Sequence, residues 1–198
     1  MIKNIFYLLF FALLFGGNAS VGASPQCATV MLPGLRPGGC VPSNLKWETN
    51  PTLSAKYTGT SCISFRIGNA TVNAGLLCSS TSKDFLGDYG IQQGSSTSSD
   101  ARTPPSASLY VATGVSSYPM KPYRFDGLRE TVYMADIDCD ESGGGVYRAT
   151  STCNVAVTFL PDGRFLYGSF TLKNHVTGKK KVKKGDVIRL WKSLRLDD

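Results

Sequence analysis

Histidine is almost missing from this sequence: among 198 residues only His175 carries an imidazole. Also missing are a Cys-x-x-Cys pair, a His-Glu-x-x-His helix signature, a Gly-x-Ser-x-Gly elbow and a glycine-rich phosphate loop. Zinc centres, zincins, elbow-type serine hydrolases and P-loop enzymes each depend on one of these, because a metal needs donors at close spacing and a nucleophile needs a base beside it. The expectation is a protein that is not an enzyme and carries no cofactor. The one hydrolase chemistry left open is a pair of carboxylates brought together in space, as in glycosidases.

Long apolar runs are scarce as well. The one that exists, Ile5 to Phe15, follows Lys3 and is interrupted early by Gly16, Gly17, Asn18 and Ser20 before Val21-Gly22-Ala23. It falls short of the roughly 20 residues a membrane-spanning helix needs. A basic start, a short apolar stretch and a small-residue cleavage site together read as a secretory signal over residues 1–23. Its removal leaves Ser24 to Asp198 as a single β-rich domain with no transmembrane segment, secreted or periplasmic, with bacterial export the better fit.

Once residues 1–23 are set aside, the charge is uneven. The stretch Ser24 to Leu172 has 11 basic and 11 acidic residues, whereas Lys173 to Asp198 has nine basic and three acidic. Most of the excess comes from "GKKKVKKGD", with Lys179, Lys180, Lys181, Lys183 and Lys184. Held on a hairpin, these lysines and Arg189 form a candidate anion-binding site for a sulfated glycan, a lipid headgroup or another polyanion. The competing reading is a solvated turn that keeps a sheet edge from pairing.

Six cysteines follow the signal: Cys27, Cys40, Cys62, Cys78, Cys139 and Cys153. An even count in an exported chain points to disulfides, and the clustering favours Cys27 with Cys40, Cys62 with Cys78 and Cys139 with Cys153 among 15 connectivities.

Strand signals dominate what remains. "CISFRI", "SLYVAT", "TVYMAD" and "NVAVTFL" are short and rich in β-branched or aromatic residues. Asn154 to Leu172 reads as a hairpin around Pro161-Asp162-Gly163, with Val155, Val157 and Phe159 facing the core and both faces of the second strand partly covered. "GDVIRLWKSLRL" reads as a last strand, with Ile188, Leu190, Leu194 and Leu196 on one side. Helical turns are expected only near Ser43 to Trp47 and over Gly127 to Glu130. The fold class is all-β, an antiparallel sandwich or barrel stabilised by disulfides with little helix. The polar, proline-punctuated stretch Gln92 to Ser108 is expected to be a mobile loop, and a split into two lobes would fall there.

Two further candidates carry chemistry. Asp136, Asp138 and Asp140 in "DIDCDESGGG" offer oxygen ligands suited to calcium, although the spacing lacks the glycine and the final glutamate of an EF-hand. In "YVATGVSSYPMKPYRFDGLRE", Tyr118, Tyr123 and Phe125 alternate with Lys121, Arg124 and Arg129, which suits a glycan or protein surface or an ordinary packed loop. Asn69-Ala70-Thr71 is a formal glycosylation sequon. The functional expectation is an exported, non-catalytic binding protein that meets an anionic partner through its basic C-terminal hairpin. The alternatives are an assembly subunit of a surface appendage or secretion system that works by self-association, and a carboxylate-pair hydrolase.

Overall fold

The computed structural model describes residues 31–33, 35, 41, 45–68, 73–94, 109–113, 116–139, 150–178 and 181–196. The signal segment 1–23, Cys27, Cys40, Asp140, Lys179, Lys180, the sequon at 69–71 and positions 95–108 of the polar stretch lie outside the described residues.

Alternating apolar residues make more than half of the described residues into strands. In chain order these are β1 (Leu45–Thr49), β2 (Thr60–Ile67), β3 (Asn73–Ser80), β4 (Ile91–Gln93), β5 (Leu109–Ala112), β6 (Ser117–Pro119), β7 (Lys121–Phe125), β8 (Leu128–Cys139), β9 (Ser151–Phe159) and β10 (Phe165–Asn174). Seven form one antiparallel sheet in the order β1-β2-β3-β10-β9-β8-β7, and β4-β5-β6 form a second sheet of three. The fold is thus mostly β and antiparallel, in a sandwich-like arrangement.

The large sheet is two meanders joined by one pairing. β1 to β3 come from the first part of the chain and β7 to β10 from the last, and the two sets meet where Phe165 pairs with Ser80 and Tyr167 with Cys78. Between them the chain leaves to build the small sheet, so Gln92 and Gln93 lie in β4, opposite Tyr110 and Leu109, and not in a loop.

Because side chains alternate along a strand, each face of the large sheet gathers its own core. One face collects Ile63, Phe65, Leu77, Val132, Ala156, Leu166 and Phe170 under the C-terminal helix described below. The other collects Cys62, Cys78, Ala135, Val155, Val157, Phe165 and Tyr167 under Phe85 and the small sheet's Ile91, Leu109 and Val111. Both faces of β10 are covered, as its two-sided apolar pattern implies. Phe159 departs from expectation: at the last position of β9 it is 39 % exposed.

The central hairpin forms as its turn residues dictate. Gly163 takes φ +84°, the left-handed angle of a three-residue loop, and donates its N–H to the Leu160 carbonyl at 3.1 Å. Two disulfides join the paired strands, Cys62–Cys78 between β2 and β3 and Cys139–Cys153 between β8 and β9.

Among the described residues three helices interrupt the strands. In α1 (Pro51–Lys56) and α2 (Lys83–Asp88) the caps are legible: Asn50 accepts the N–H of Leu53, and Ser82 that of Phe85. The third corrects the sequence reading. Lys184 to Ser193 is a helix, α3, and not a closing strand. Val187, Leu190, Trp191 and Leu194 recur at helical spacing and are all buried, which overrides the β preference of Val187-Ile188. Asp186 in the first turn and Lys192 in the last suit the helix dipole. Conversely, of the two places expected to be helical turns, Leu45 to Trp47, the described part of the first, belongs to β1, and Gly127 to Glu130 belongs to the β7–β8 hairpin. Among the described residues no helix is long and apolar enough to cross a membrane.

Candidate functional site

The basic segment is positioned by two backbone contacts. β3 stops pairing with β10 at Phe170, and a bulge follows between Thr171 and Lys173. Beyond this point Lys181 and Val182 donate their N–H groups to the carbonyls of Leu172 and Thr171, each at 3.0 Å. The chain thus doubles back along β10 after the turn at 175–177, and Val182 is buried beside the entrance to α3.

From there α3 runs antiparallel to β8. Its first residue, Lys184, reaches Asp136, while Leu194 and Arg195 at its far end close on Gly127. A Cβ on Gly127 would come within 2.4 Å of the Leu194 carbonyl oxygen, so only glycine fits there.

Asp136 is the hub of the site. Its carboxylate accepts the Asn154 side-chain N–H at 2.7 Å and the Lys184 ammonium at 2.5 Å. Asn154 faces Asp136 across the β8–β9 pair and is 1 % exposed, and its amide oxygen has no partner among the described residues. An unpaired buried acceptor costs about 1–3 kcal/mol. Beside this cluster opens a cavity of about 240 Å³, lined by Tyr118, Lys121, Tyr123, Met134, Asp136, Asn154 and Lys184 among others. Lys121 pairs across to Met134 on β8, which places it on the α3 side of the sheet.

Three stretches that the sequence offers as separate candidates therefore meet in one place. The lysine run supplies Lys184, the acidic stretch Asp136, and the aromatic stretch Tyr118, Lys121 and Tyr123. Other members are placed elsewhere. Lys183 caps α3 without a side-chain hydrogen bond and is exposed. Arg189 is exposed and lies 3.5 Å from Asp186 within the helix. Lys181 is half-buried, Arg124 donates to the Arg129 carbonyl at 3.3 Å, and Phe125 belongs to the core.

Of the calcium candidates, both oxygens of Asp136 are engaged by an amide and an ammonium, and Asp138 accepts the Tyr118 hydroxyl at 3.2 Å. Among the described residues no three of His, Cys, Asp or Glu gather to hold a metal ion. A cation at Asp136 would have to displace Lys184. His175 is exposed and hydrogen-bonded through Nε2 to the Thr152 hydroxyl at 2.9 Å.

Asn154 is the site residue that sequence reasoning missed. Alternation with Val155, Val157 and Phe159 assigns it to the opposite face of β9, and it is buried because that second face is covered too. Comparison with protein-family models, curated proteins and solved structures finds no match for this chain.

Proposed function

We propose that the protein is an exported, non-catalytic binding protein of the bacterial envelope or exterior, whose basic C-terminal segment meets an anionic partner, a glycan or lipid headgroup bearing phosphate, sulfate or carboxylate. The observation that carries this reading is the convergence of Lys184 and Lys121 with Tyr118 and Tyr123 on one cavity. Two ammoniums and two rigid phenol rings suit an anionic group borne on a ring or headgroup. Asp136 offsets Lys184, so Lys121 and the exposed Lys183 supply the attraction. The two disulfides fit an oxidising compartment, which supports export.

The test is retention on a sulfated resin as salt is raised. Replacing Lys179, Lys180, Lys181, Lys183 and Lys184 by glutamine should shift elution to much lower salt, but it also frees the Asp136 carboxylate, which adds repulsion. The double variant Lys121→Gln/Lys183→Gln keeps the ion pair and should still elute earlier. Elution at the parental salt concentration for both variants would overturn the reading.

A second reading, self-association through a sheet edge, is favoured by β1. Among the described residues no strand lies along its outer edge, whereas β7 at the other end carries Pro122, which cannot donate to a neighbour. Mass that rises with concentration, and falls when proline replaces Lys46, would support it; a monomer at every concentration would remove it.

A further inference from the structure

The large sheet carries a second cavity on its other face. Asn154, at the first site, is followed in space by the opposite alternation: Cys153, Ser169 and Thr171 point away from α3. There they line a groove of about 430 Å³ with Ser64, Leu76 and Tyr89. This volume is within the ~300–1,000 Å³ typical of small-molecule sites. The two cavities share none of the described residues.

The groove has a chemical character of its own: among the described residues no charged side chain lines it, and the polar groups they present are hydroxyls and carboxamides. Several are already fixed. Asn50 donates from its amide nitrogen to Ser64 at 2.8 Å, while its amide oxygen holds the Leu53 N–H at the start of α1. The cap therefore sets the orientation of this amide. Tyr89 stacks on Phe85 at 4.4 Å and packs on Tyr167 at 4.9 Å, so its ring is held before any ligand arrives. The Cys139–Cys153 disulfide forms part of the wall and ties β8 to β9 beneath it.

From this we infer a second binding site, specific for an uncharged hydroxyl-bearing ligand of the size of one or two sugar units. A charged ligand would lose water without meeting a counter-charge, which costs several kcal/mol. A purely apolar one would strip water from the hydroxyl and carboxamide groups of the wall without replacing its hydrogen bonds. A neutral sugar satisfies both conditions, since its hydroxyls match the hydroxyl and amide groups and its C–H face matches an aromatic wall. Prior fixing of the walls lowers the ordering cost of binding.

The full chain with its disulfides intact is titrated with cellotetraose, maltotetraose and chitotetraose while amide NMR shifts are followed. At least one should perturb Ser64, Leu76, Ser169 and Thr171 and leave Lys121 and Lys184 unmoved. Ser169→Arg, which puts a long cation into the groove, should weaken binding at least tenfold. Asn73→Arg at the exposed rim does the same without touching the core, and serves if the first variant does not fold. Lys121→Gln/Lys183→Gln should bind the sugar as the parent does, whatever it does on the sulfated resin. The inference is overturned if none of the three sugars shifts the groove residues, if the shifts map to the Lys121 cavity, or if a folded groove variant binds unchanged.

Discussion

Trp191 shows how tightly single residues are constrained. It is fully buried, and Gly168 on β10 lies beneath it, where an added Cβ would come within 3.0 Å of the indole. Its ring nitrogen is buried and has no partner among the described residues. Trp191→Ala should therefore cost about 3–5 kcal/mol by denaturant unfolding. Trp191→Phe should cost less than half as much, because losing the orphan N–H recovers part of the lost packing. Equal losses would show that the nitrogen carries no penalty. Tyr167 makes a second residue-scale prediction. Burial pushes its phenol well above the ordinary value near 10, against the lowering effect of its hydrogen bond to Ser169. The unfolded chain ionises first, so this contribution to stability is complete below about pH 10 and is lost as pH rises further. Tyr167→Phe should flatten the decline in unfolding midpoint between pH 9 and 11; an unaltered decline would assign it to other groups.

At the scale of elements, what the sequence revealed depended on how local the cause was. The Pro161-Asp162-Gly163 hairpin and the bridges Cys62–Cys78 and Cys139–Cys153 were legible because a turn residue or a short loop decides them. The closing segment was not: Ile188, Leu190, Leu194 and Leu196 satisfy a strand's period as neatly as Val187, Leu190, Trp191 and Leu194 satisfy a helix's. Only the apolar surface waiting above β8 and β10 decides between them. The candidate site was half legible for the same reason. Lysines, aspartates and tyrosines stood out by type, but their meeting depends on α3 running back along β8. This helix begins poorly, since lysine is a weak N-cap residue and makes no capping bond. Lys183→Asp should raise stability by about 0.5–2 kcal/mol, read as a higher unfolding midpoint, while weakening retention on the sulfated resin. A lower midpoint would mean that Lys183 has a structural role.

For the whole molecule, covalent ties and sheet pairing divide the work. The bridge between β2 and β3 closes a short loop within the first meander, and the one between β8 and β9 does so within the second. Replacing Cys62 and Cys78 by alanine should cost about 3 kcal/mol, measured by denaturant unfolding of oxidised protein. A loss well below 1 kcal/mol would mean that β2 and β3 are already held together in the unfolded chain. Neither bridge spans the seam between the meanders. That seam, β3 against β10, is held by backbone hydrogen bonds and by packing such as Phe65 on Phe170, with no covalent tie among the described residues, and it joins segments far apart in the chain. A chain emerging N-terminus first must therefore leave β3 with a bare edge until almost the last strand has appeared, and that interval is when sticking to a neighbouring copy competes most with folding.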